Sequence, residues 1–137
     1  MKTFFDSSAF AKRYVQEQGS ESVYKICLGT TQLALSIICI PEIISALNRK
    51  LREKNITKQN YSIAKGRILE EIEDAIIVNI TPQVIHTSLL LLESNILRAM
   101  DSLHIACAYE WGAELFVSAD KNQTKAAKKA GLAVRLV

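Results

Sequence analysis

The stretch Lys2-Thr3-Phe4-Phe5-Asp6-Ser7-Ser8-Ala9 joins a short apolar strand, an acid at its end and two serines that suit a helix start. The stretch Leu115-Phe116-Val117-Ser118-Ala119-Asp120 repeats the pattern of an apolar strand followed by an acid. Two further acids, Glu42 and Asp101, lie near predicted helix starts. In a parallel sheet with crossover helices, strand ends and helix starts meet along one edge, where ligands bind. We therefore predict that this edge gathers four acids: Asp6, Glu42, Asp101 and Asp120.

Short apolar strands alternate with helices along the whole chain. The predicted strands cover residues 2–5, 32–36, 75–79, 115–118 and 133–136, and helices are predicted between them. Ser7 or Ser8 is expected to cap the first helix, and Pro41 is expected at the first position of a later one. This order predicts an α/β fold of three layers, α/β/α, with a central parallel sheet of about five strands. A length of 137 residues predicts a single domain, 1–137.

Composition and the cysteine pattern indicate the cellular compartment of the protein but say little about its chemistry. The formal charge of +3 is compatible with a polyanionic partner but does not require one. Cys27, Cys39 and Cys107 are widely spaced and form no CxxC pair, which indicates core thiols in a reducing compartment. Only five residues precede Asp6, too few for a signal peptide, and the apolar stretch 33–40 is too short to cross a bilayer. These features predict a cytoplasmic protein with no membrane partner.

Acids gathered without lysine partners repel one another unless a divalent cation binds among them. Carboxylate oxygens suit Mg²⁺ or Mn²⁺, and a water bound to such a metal can attack phosphorus without a serine nucleophile or a histidine base. The chain has only two histidines, of which His86 is interpreted as a surface residue. His104 lies three residues after Asp101 on the same helical face, and we interpret it as a hydrogen-bonded core histidine that supports the site. The residues thus predict a hard-metal site that acts on phosphate.

Three other α/β families with acids at this edge fit the sequence less well. A dinucleotide-binding fold needs a glycine-rich turn after the first strand, and no glycine occurs before Gly19. Aspartyl phosphotransferases of the haloacid dehalogenase type use the motif DxD after that strand, but Ser8 stands at the third position. A response-regulator receiver needs an aspartate at the end of strand three, which here ends in Asn79. Each alternative therefore lacks a required residue.

Five segments then carry a family resemblance that spans essentially the whole chain. In order, they are Phe4-Phe5-Asp6-Ser7-Ser8-Ala9, Ile40-Pro41-Glu42, Leu97-Arg98-Ala99-Met100-Asp101-Ser102-Leu103-His104-Ile105-Ala106, Phe116-Val117-Ser118-Ala119-Asp120 and Ala130-Gly131-Leu132. With these segments the sequence resembles PIN-domain ribonucleases, and most closely the VapC-type toxins of toxin–antitoxin pairs. The fold implied is PIN-like. One departure is Lys121-Asn122-Gln123-Thr124, which is more polar than the apolar-containing segment usual after the last acid.

The resemblance implies a role for each matching residue. Asp6, Asp101 and Asp120 would bind Mg²⁺ or Mn²⁺ directly, and Glu42 would act through water. Ser118 would hydrogen-bond behind these ligands, and Ser7 would do the same beside Asp6. The substrate implied is single-stranded or looped RNA, cleaved to 5′-phosphate and 3′-hydroxyl ends. The partners implied are a second copy of the chain, forming a homodimer, and an antitoxin protein that plugs the acidic pocket.

Basic residues near the acids are the candidates for binding substrate phosphates. Residues 49–67 hold seven of the 17 basic residues, most of which we interpret as a solvated surface. Arg49 and Arg52 share a predicted helix with Glu42, and Arg98 stands just before Asp101, so these three arginines are predicted to contact RNA. The apolar run 89–92 covers all sides of a helical turn, which indicates burial against the sheet on one side and a dimer interface on another.

Two other functions stay open from the sequence. One is a PIN-type nuclease of RNA maturation that has no antitoxin. The other is a non-catalytic module that uses the acids to bind a metal or a partner. An acid at a helix start also has a purely structural explanation, its favourable interaction with the helix dipole, and the sequence indicates that this suits Glu42 and Asp101 better than Asp6 and Asp120.

Overall fold

A parallel sheet forms the centre of the computed structural model, which describes residues 1–137. Its five strands are β1 (Lys2–Phe5), β2 (Gln32–Ser36), β3 (Ile76–Val78), β4 (Leu115–Ser118) and β5 (Val134–Leu136). The strand order is β3-β2-β1-β4-β5, and every neighbouring pair is parallel. Phe4 pairs with Ala34 of β2 on one side and with Phe116 of β4 on the other. The predicted parallel sheet of about five strands is confirmed.

Seven helices connect these strands. They are α1 (Ser7–Phe10), α2 (Ser20–Leu28), α3 (Cys39–Arg52), α4 (Lys58–Glu71), α5 (Pro82–Ser94), α6 (Ala99–Trp111) and α7 (Lys121–Lys129). Short 3-10 turns, Ala11–Arg13 and Ile72–Asp74, extend α1 and α4. Threonine hydroxyls begin α4 and α5, where Thr57 accepts from the Asn60 N–H and Thr81 from the Val84 N–H. None of the helices combines the length and apolar character that crossing a lipid bilayer requires.

Two helix starts differ from the prediction. Asp6, rather than Ser7 or Ser8, caps α1, because its carboxylate accepts the hydrogen bond from the Ala9 N–H. Helix α3 begins at Cys39, so Pro41 occupies its third position and not its first. Proline still fits there, since the first N–H groups of a helix have no partner within the helix.

Each face of the sheet has its own hydrophobic core, because the side chains along a strand point alternately to the two faces. On one face, Phe4, Ala34 and Phe116 pack with residues of α5, α6 and α7. On the other face, Phe5 and Leu35 pack with residues of α1, α2, α3 and α4. Successive strand residues point to opposite sides, so neighbouring phenylalanines of β1 contribute to both cores. Helices therefore cover both faces, and the predicted three-layer α/β/α fold is confirmed.

The strand order reverses at β1, which creates a crevice at the carboxyl edge of the sheet. Strands β2 and β3 lie on one side of β1, and β4 and β5, which follow them in the sequence, lie on the other side. The carboxyl ends of β1 and β4 adjoin, since Phe5 pairs with Val117 and the Asp6 N–H donates to the Val117 carbonyl at 3.0 Å. Ligands of open α/β sheets bind at such a switch point.

Candidate active site

Asp6 is the innermost acid at this crevice and is 0% exposed. Its Oδ1 accepts from the Ala9 N–H at 2.9 Å and from the Ser8 hydroxyl at 2.8 Å, and its Oδ2 accepts from the Ser118 hydroxyl at 2.6 Å. Burial raises the pKa of Asp6 and outweighs the hydrogen bonds from Ser118 and Ala9, which lower it. No Lys or Arg forms a salt bridge with this carboxylate. Asp6 is thus a buried acid without a cationic side-chain partner.

Asp120 follows β4 and lies next to Asp6 through a shared serine. Ser118 donates to Asp6 Oδ2, and its Oγ accepts from the Asp120 N–H at 2.9 Å. The Asp120 Oδ1 caps α7 by accepting from the N–H groups of Asn122 at 2.7 Å and Gln123 at 3.1 Å. Its Oδ2 accepts no hydrogen bond. One oxygen of Asp120 is therefore held by the protein, and the other is free.

Helix capping gives two of the acids a structural role that the sequence did not indicate. Asp6 caps α1 and Asp120 caps α7, each through side-chain hydrogen bonds to backbone N–H groups. The sequence indicated that the helix-end explanation suits Glu42 and Asp101 better. Glu42 and Asp101 do lie in the first turns of α3 and α6, where an acid interacts favourably with the helix dipole. The sequence did not indicate that Asp6 and Asp120 also cap helices.

Glu42 is held by Ser7 and His104. Its Oε1 accepts from the Ser7 hydroxyl at 2.7 Å and hydrogen-bonds to His104 Nε2, while its Oε2 accepts no hydrogen bond. Burial alone would raise the pKa of Glu42, but the hydrogen bonds with His104 and Ser7 lower it overall. His104 is 1% exposed, in agreement with its interpretation as a hydrogen-bonded core histidine. The expected partner of Ser7 was wrong: it supports Glu42, and Ser8 supports Asp6.

These contacts do not form a serine hydrolase triad. Ser7 Oγ lies 3.1 Å from His104 Nε2, and Glu42 binds the same nitrogen. In a triad the acid binds the opposite imidazole nitrogen, Nδ1, which in His104 is buried without a partner. The arrangement can therefore orient Glu42, but it cannot activate Ser7 through a charge-stabilised imidazole.

The pKa of Asp101 is raised in part by the charges of the other three acids. Burial raises its pKa first, and the negative charges of Asp120, Asp6 and Glu42 raise it further. The Asp101 Oδ1 accepts from Gln123 Nε2 at 3.1 Å, and its Oδ2 accepts no hydrogen bond. The other three acids thus lie close enough to Asp101 for their charges to repel its carboxylate.

The donor set suits a hard divalent cation, although no three His, Cys, Asp or Glu side chains form a ready-made metal cluster. All donors are carboxylate oxygens, and three of the four acids each have one oxygen without a hydrogen bond. The acids also lack Lys or Arg partners. Mg²⁺ usually keeps several waters and is bound by one or two carboxylates, so an open arrangement fits it better than a closed cage would.

The three predicted arginines lie at different places around the acids. Arg49 lines a cleft of about 390 Å³ together with Glu42 and Met100. Met100 directly precedes Asp101 in the sequence. Arg49 follows Glu42 by seven residues, so both lie on one face of α3. Arg52 is exposed but does not line this cleft. Arg98 is also exposed and stands at the N-cap of α6, outside the cleft.

Comparison with known proteins identifies the fold family. The PIN domain family matches residues 3–129, a span that contains all four acids.

This chain belongs to the PIN domain family.

A search of curated proteins by sequence finds no match. The PIN fold of the chain is similar to VapC20 from Mycobacterium tuberculosis, described as a toxin that cleaves the sarcin-ricin loop, with a TM-score of 0.71, 13% identity and 95% of each chain covered. FitAcB from Neisseria gonorrhoeae is similar at a TM-score of 0.71 and 14% identity, over 96% of this chain and 95% of that chain. VapBC2 from Rickettsia felis, bound to promoter DNA, is similar at a TM-score of 0.71 and 11% identity, over 100% of this chain and 99% of that chain. At such identities the likeness concerns the fold alone, and it confirms that the chain folds like VapC-type PIN domains.

Two residues of this PIN-domain site were not among the predicted site residues. Ser8 donates to Asp6, and its Oγ accepts from the Ala119 N–H at 3.1 Å, so it joins the ends of β1 and β4. The only sequence signal for Ser8 was its place two residues after Asp6. Gln123 contacts both Asp101 and Asp120, and its only signal was the unusual polarity of residues 121–124.

Proposed function

We propose that this PIN domain, residues 1–137, is a metal-dependent endoribonuclease and the toxin of a type II toxin–antitoxin pair. The observation that carries the proposal is a set of four carboxylates at the carboxyl edge of the sheet, mutually repelling and without Lys or Arg partners. VapC20, which shares the fold, is described as cleaving the sarcin-ricin loop, and this supports RNA as the substrate.

Each acid has a distinct role in the proposed site. Asp6, Asp101 and Asp120 would hold Mg²⁺ or Mn²⁺, and Glu42 would act through water. The chemistry supplied by a divalent ion there would be a lower pKa of the attacking water and an offset of the charge on the phosphoryl oxygens. The serines and the histidine position the acids: Ser118 and Ser8 hold Asp6, and Ser7 and His104 hold Glu42. The free Oε2 of Glu42 can then accept a hydrogen bond from the attacking water.

The substrate is RNA in a single-stranded or looped form. Arg49 lines the open cleft that contains Glu42, where its guanidinium can bind a phosphate next to the one that is cut. Arg98 lies at the start of the helix that carries Asp101 and is the second phosphate contact. Arg52 shares the helix of Glu42 but lies outside the cleft, so we assign it a weaker, steering role.

The proposed partners are an antitoxin protein and a second copy of the chain, in the cytoplasm. Several similar folds come from toxin–antitoxin complexes, among them one from Klebsiella pneumoniae with a TM-score of 0.68, 16% identity and 88% of each chain covered. Helix α5 exposes Ile85 and Leu89, one turn apart, with 42% and 51% of their surfaces accessible. This apolar pair supports a homodimer interface, in line with the expectation for residues 89–92.

Cleavage of a mixed RNA pool by the purified protein tests the enzymatic proposal. The pool contains structured and single-stranded RNA, and the reaction is run with Mn²⁺, with EDTA and with the variant Asp6→Asn. We expect cleavage with Mn²⁺ only, and its loss in the variant, because asparagine removes the charge of Asp6 while its amide still caps α1. The variant also reveals any contaminating ribonuclease.

The variant should melt at a temperature no lower than that of the wild type, since it removes a buried charge of raised pKa. Equal cleavage by wild type and variant would contradict the metal-site argument. Mn²⁺ binding without any cleavage would instead favour a non-catalytic module. RNA cleavage by a protein that has no small DNA-binding partner encoded beside it would favour a nuclease of RNA maturation.

A further inference from the structure

Gln123 contacts two of the four acids from a buried position in the first turn of α7. Its side chain is 4% exposed, and Nε2 donates to Asp101 Oδ1 at 3.1 Å. Its backbone N–H donates to Asp120 Oδ1, also at 3.1 Å. Gln123 therefore connects the acid in the first turn of α6 to the acid that follows β4.

The other end of the Gln123 amide is buried without a partner. Its Oε1 accepts no hydrogen bond, which is unusual for a buried polar atom. The reverse orientation of the amide would place this oxygen against the Asp101 carboxylate, and two acceptors repel each other. The contact with Asp101 therefore sets the orientation of the amide. An apolar side chain of similar length would avoid the unpaired oxygen but would lose the contact with Asp101.

The neighbouring buried residues of α7 make no such contact. The hydroxyl of Thr124 donates to the Lys121 carbonyl of its own helix turn. Ala126 and Ala127 pack into the core on one face of the sheet. Among these residues, Gln123 is the one whose side chain hydrogen-bonds to an acid of the site. Departures from apolar packing are expected where a residue serves the function.

We propose that Gln123 is a positioning residue, which holds the Asp101 carboxylate in a fixed orientation beside Asp120 and thereby sets the divalent-cation affinity of the acids. The inference rests on the proposed function and adds a residue to that site. With Oδ1 of Asp101 bound to the amide, Oδ2 is left for the cation. Side chains that hydrogen-bond to metal ligands typically change metal affinity or activity by about 10–100-fold.

The experiment measures Mn²⁺ binding by calorimetry, without RNA, in the full chain. Gln123→Met keeps the length of the side chain and removes the hydrogen bond, and we expect it to weaken Mn²⁺ binding by about 10–100-fold. The matched control is Thr124→Val, which removes a buried hydroxyl from the same helix turn and should bind Mn²⁺ like the wild type. In RNA cleavage, Gln123→Met should lower kcat at a given Mn²⁺ concentration and leave the KM for RNA unchanged.

A second pair of variants tests whether Gln123 acts through Asp101. In the Asp101→Asn background, Gln123→Met should weaken Mn²⁺ binding far less than it does in the wild type. An equal weakening in both backgrounds, or wild-type affinity in Gln123→Met, would overturn the proposal. Gln123→Leu serves the same test if Gln123→Met does not fold. Mn²⁺ binding with the expected losses but no RNA cleavage would contradict only the nuclease proposal, whereas no Mn²⁺ binding by the wild type would overturn both.

Discussion

Three of the four acids of the site accept hydrogen bonds from the protein with only one of their two carboxylate oxygens. Asp120, Glu42 and Asp101 each have one oxygen that accepts hydrogen bonds from the protein and one that accepts none. Asp6 differs, since both of its oxygens accept from serine hydroxyls, and hydroxyls can rotate away when a stronger partner arrives. The protein thus fixes the direction of each carboxylate without using up its capacity to bind a cation.

The raised pKa of Asp101 predicts how stability depends on pH. Burial and the neighbouring acids raise its folded-state pKa above the ordinary 3.8, so the folded protein binds this proton more tightly than the unfolded chain does. The stability that this group contributes is present below pH 3.8 and is lost as the pH rises through the raised value. In EDTA, Asp101→Asn should therefore have a higher Tm than the wild type at about pH 7, and the difference should shrink toward about pH 4.

The amide oxygen introduced by Asp101→Asn can still accept the hydrogen bond from Gln123. The variant therefore removes the charge of Asp101 and keeps this hydrogen bond. Thermal melts followed by circular dichroism at several pH values give the measurement. If the proposed metal site is correct, saturating Mn²⁺ should reverse the order of the two Tm values, because the ion would bind the folded wild type more tightly than the folded variant. A lower Tm for Asp101→Asn in EDTA at neutral pH would contradict the assignment of repulsion among the acids.

Helix α6 illustrates how one element serves both the site and the fold. Its first turn carries Asp101 at the carboxyl edge, and its buried side contributes Ile105 and Cys107 to the core. Gly112 then ends the helix in the left-handed region, with φ of 79°, and turns the chain toward β4. That conformation costs an L-residue about 1–2 kcal/mol, so the end of α6 depends on glycine.

Gly112→Ala is expected to lower the free energy of unfolding by about 1 kcal/mol and Tm by roughly 4 °C. An added Cβ would meet only Lys2 Nζ at 3.6 Å, an ordinary contact, so the cost comes from the backbone. The matched control is Gly29→Ala at the end of α2, where φ is −91° and the change should be neutral or slightly stabilising. Denaturant unfolding measures both variants, and equal stabilities would contradict the argument.

The acids and the apolar pair of the proposed dimer interface lie in different regions of the molecule. The acids lie at the carboxyl edge beside β1 and β4, whereas Ile85 and Leu89 lie on α5, which packs on one face of the sheet. Helix α5 buries Val84, Ser88 and Leu91 and exposes Ile85, Leu89 and also Leu90. Within one chain the predicted burial of residues 89–92 applies to Leu91 and in part to Leu92, and in the proposed homodimer a partner copy would cover Leu89.

Leu89→Glu is expected to convert a dimer into a monomer, because a charge in an apolar interface must lose its water. Sedimentation velocity at micromolar concentration measures the change. Leu28→Glu is the control, since Leu28 is 70% exposed at the end of α2 and lies outside the proposed interface. The dimer should persist in that variant. A wild-type protein that sediments as a monodisperse monomer would contradict the homodimer proposal.

Features that depend on neighbouring residues could be predicted from the sequence alone. The strands Gln32–Ser36 and Leu115–Ser118 agree with the prediction at both ends, because apolar runs bounded by turn residues have few other conformations. The helix starts at Thr57 and Thr81 and the end at Gly112 follow from local capping chemistry in the same way. The four acids could be named because each follows a strand or lies near the start of a helix.

Contacts across the site, in contrast, depend on how the packed elements meet. His104 and Glu42 are 62 residues apart, Ser118 and Asp6 are 112 apart, and Gln123 reaches Asp101 from another helix. Local propensity cannot distinguish Ser7 from Ser8 as the partner of Asp6, since the direction of each side chain depends on how α1 packs against α3 and β4. Those contacts exist because the packed sheet and helices bring distant residues to one edge, where their charges and hydrogen bonds determine the chemistry.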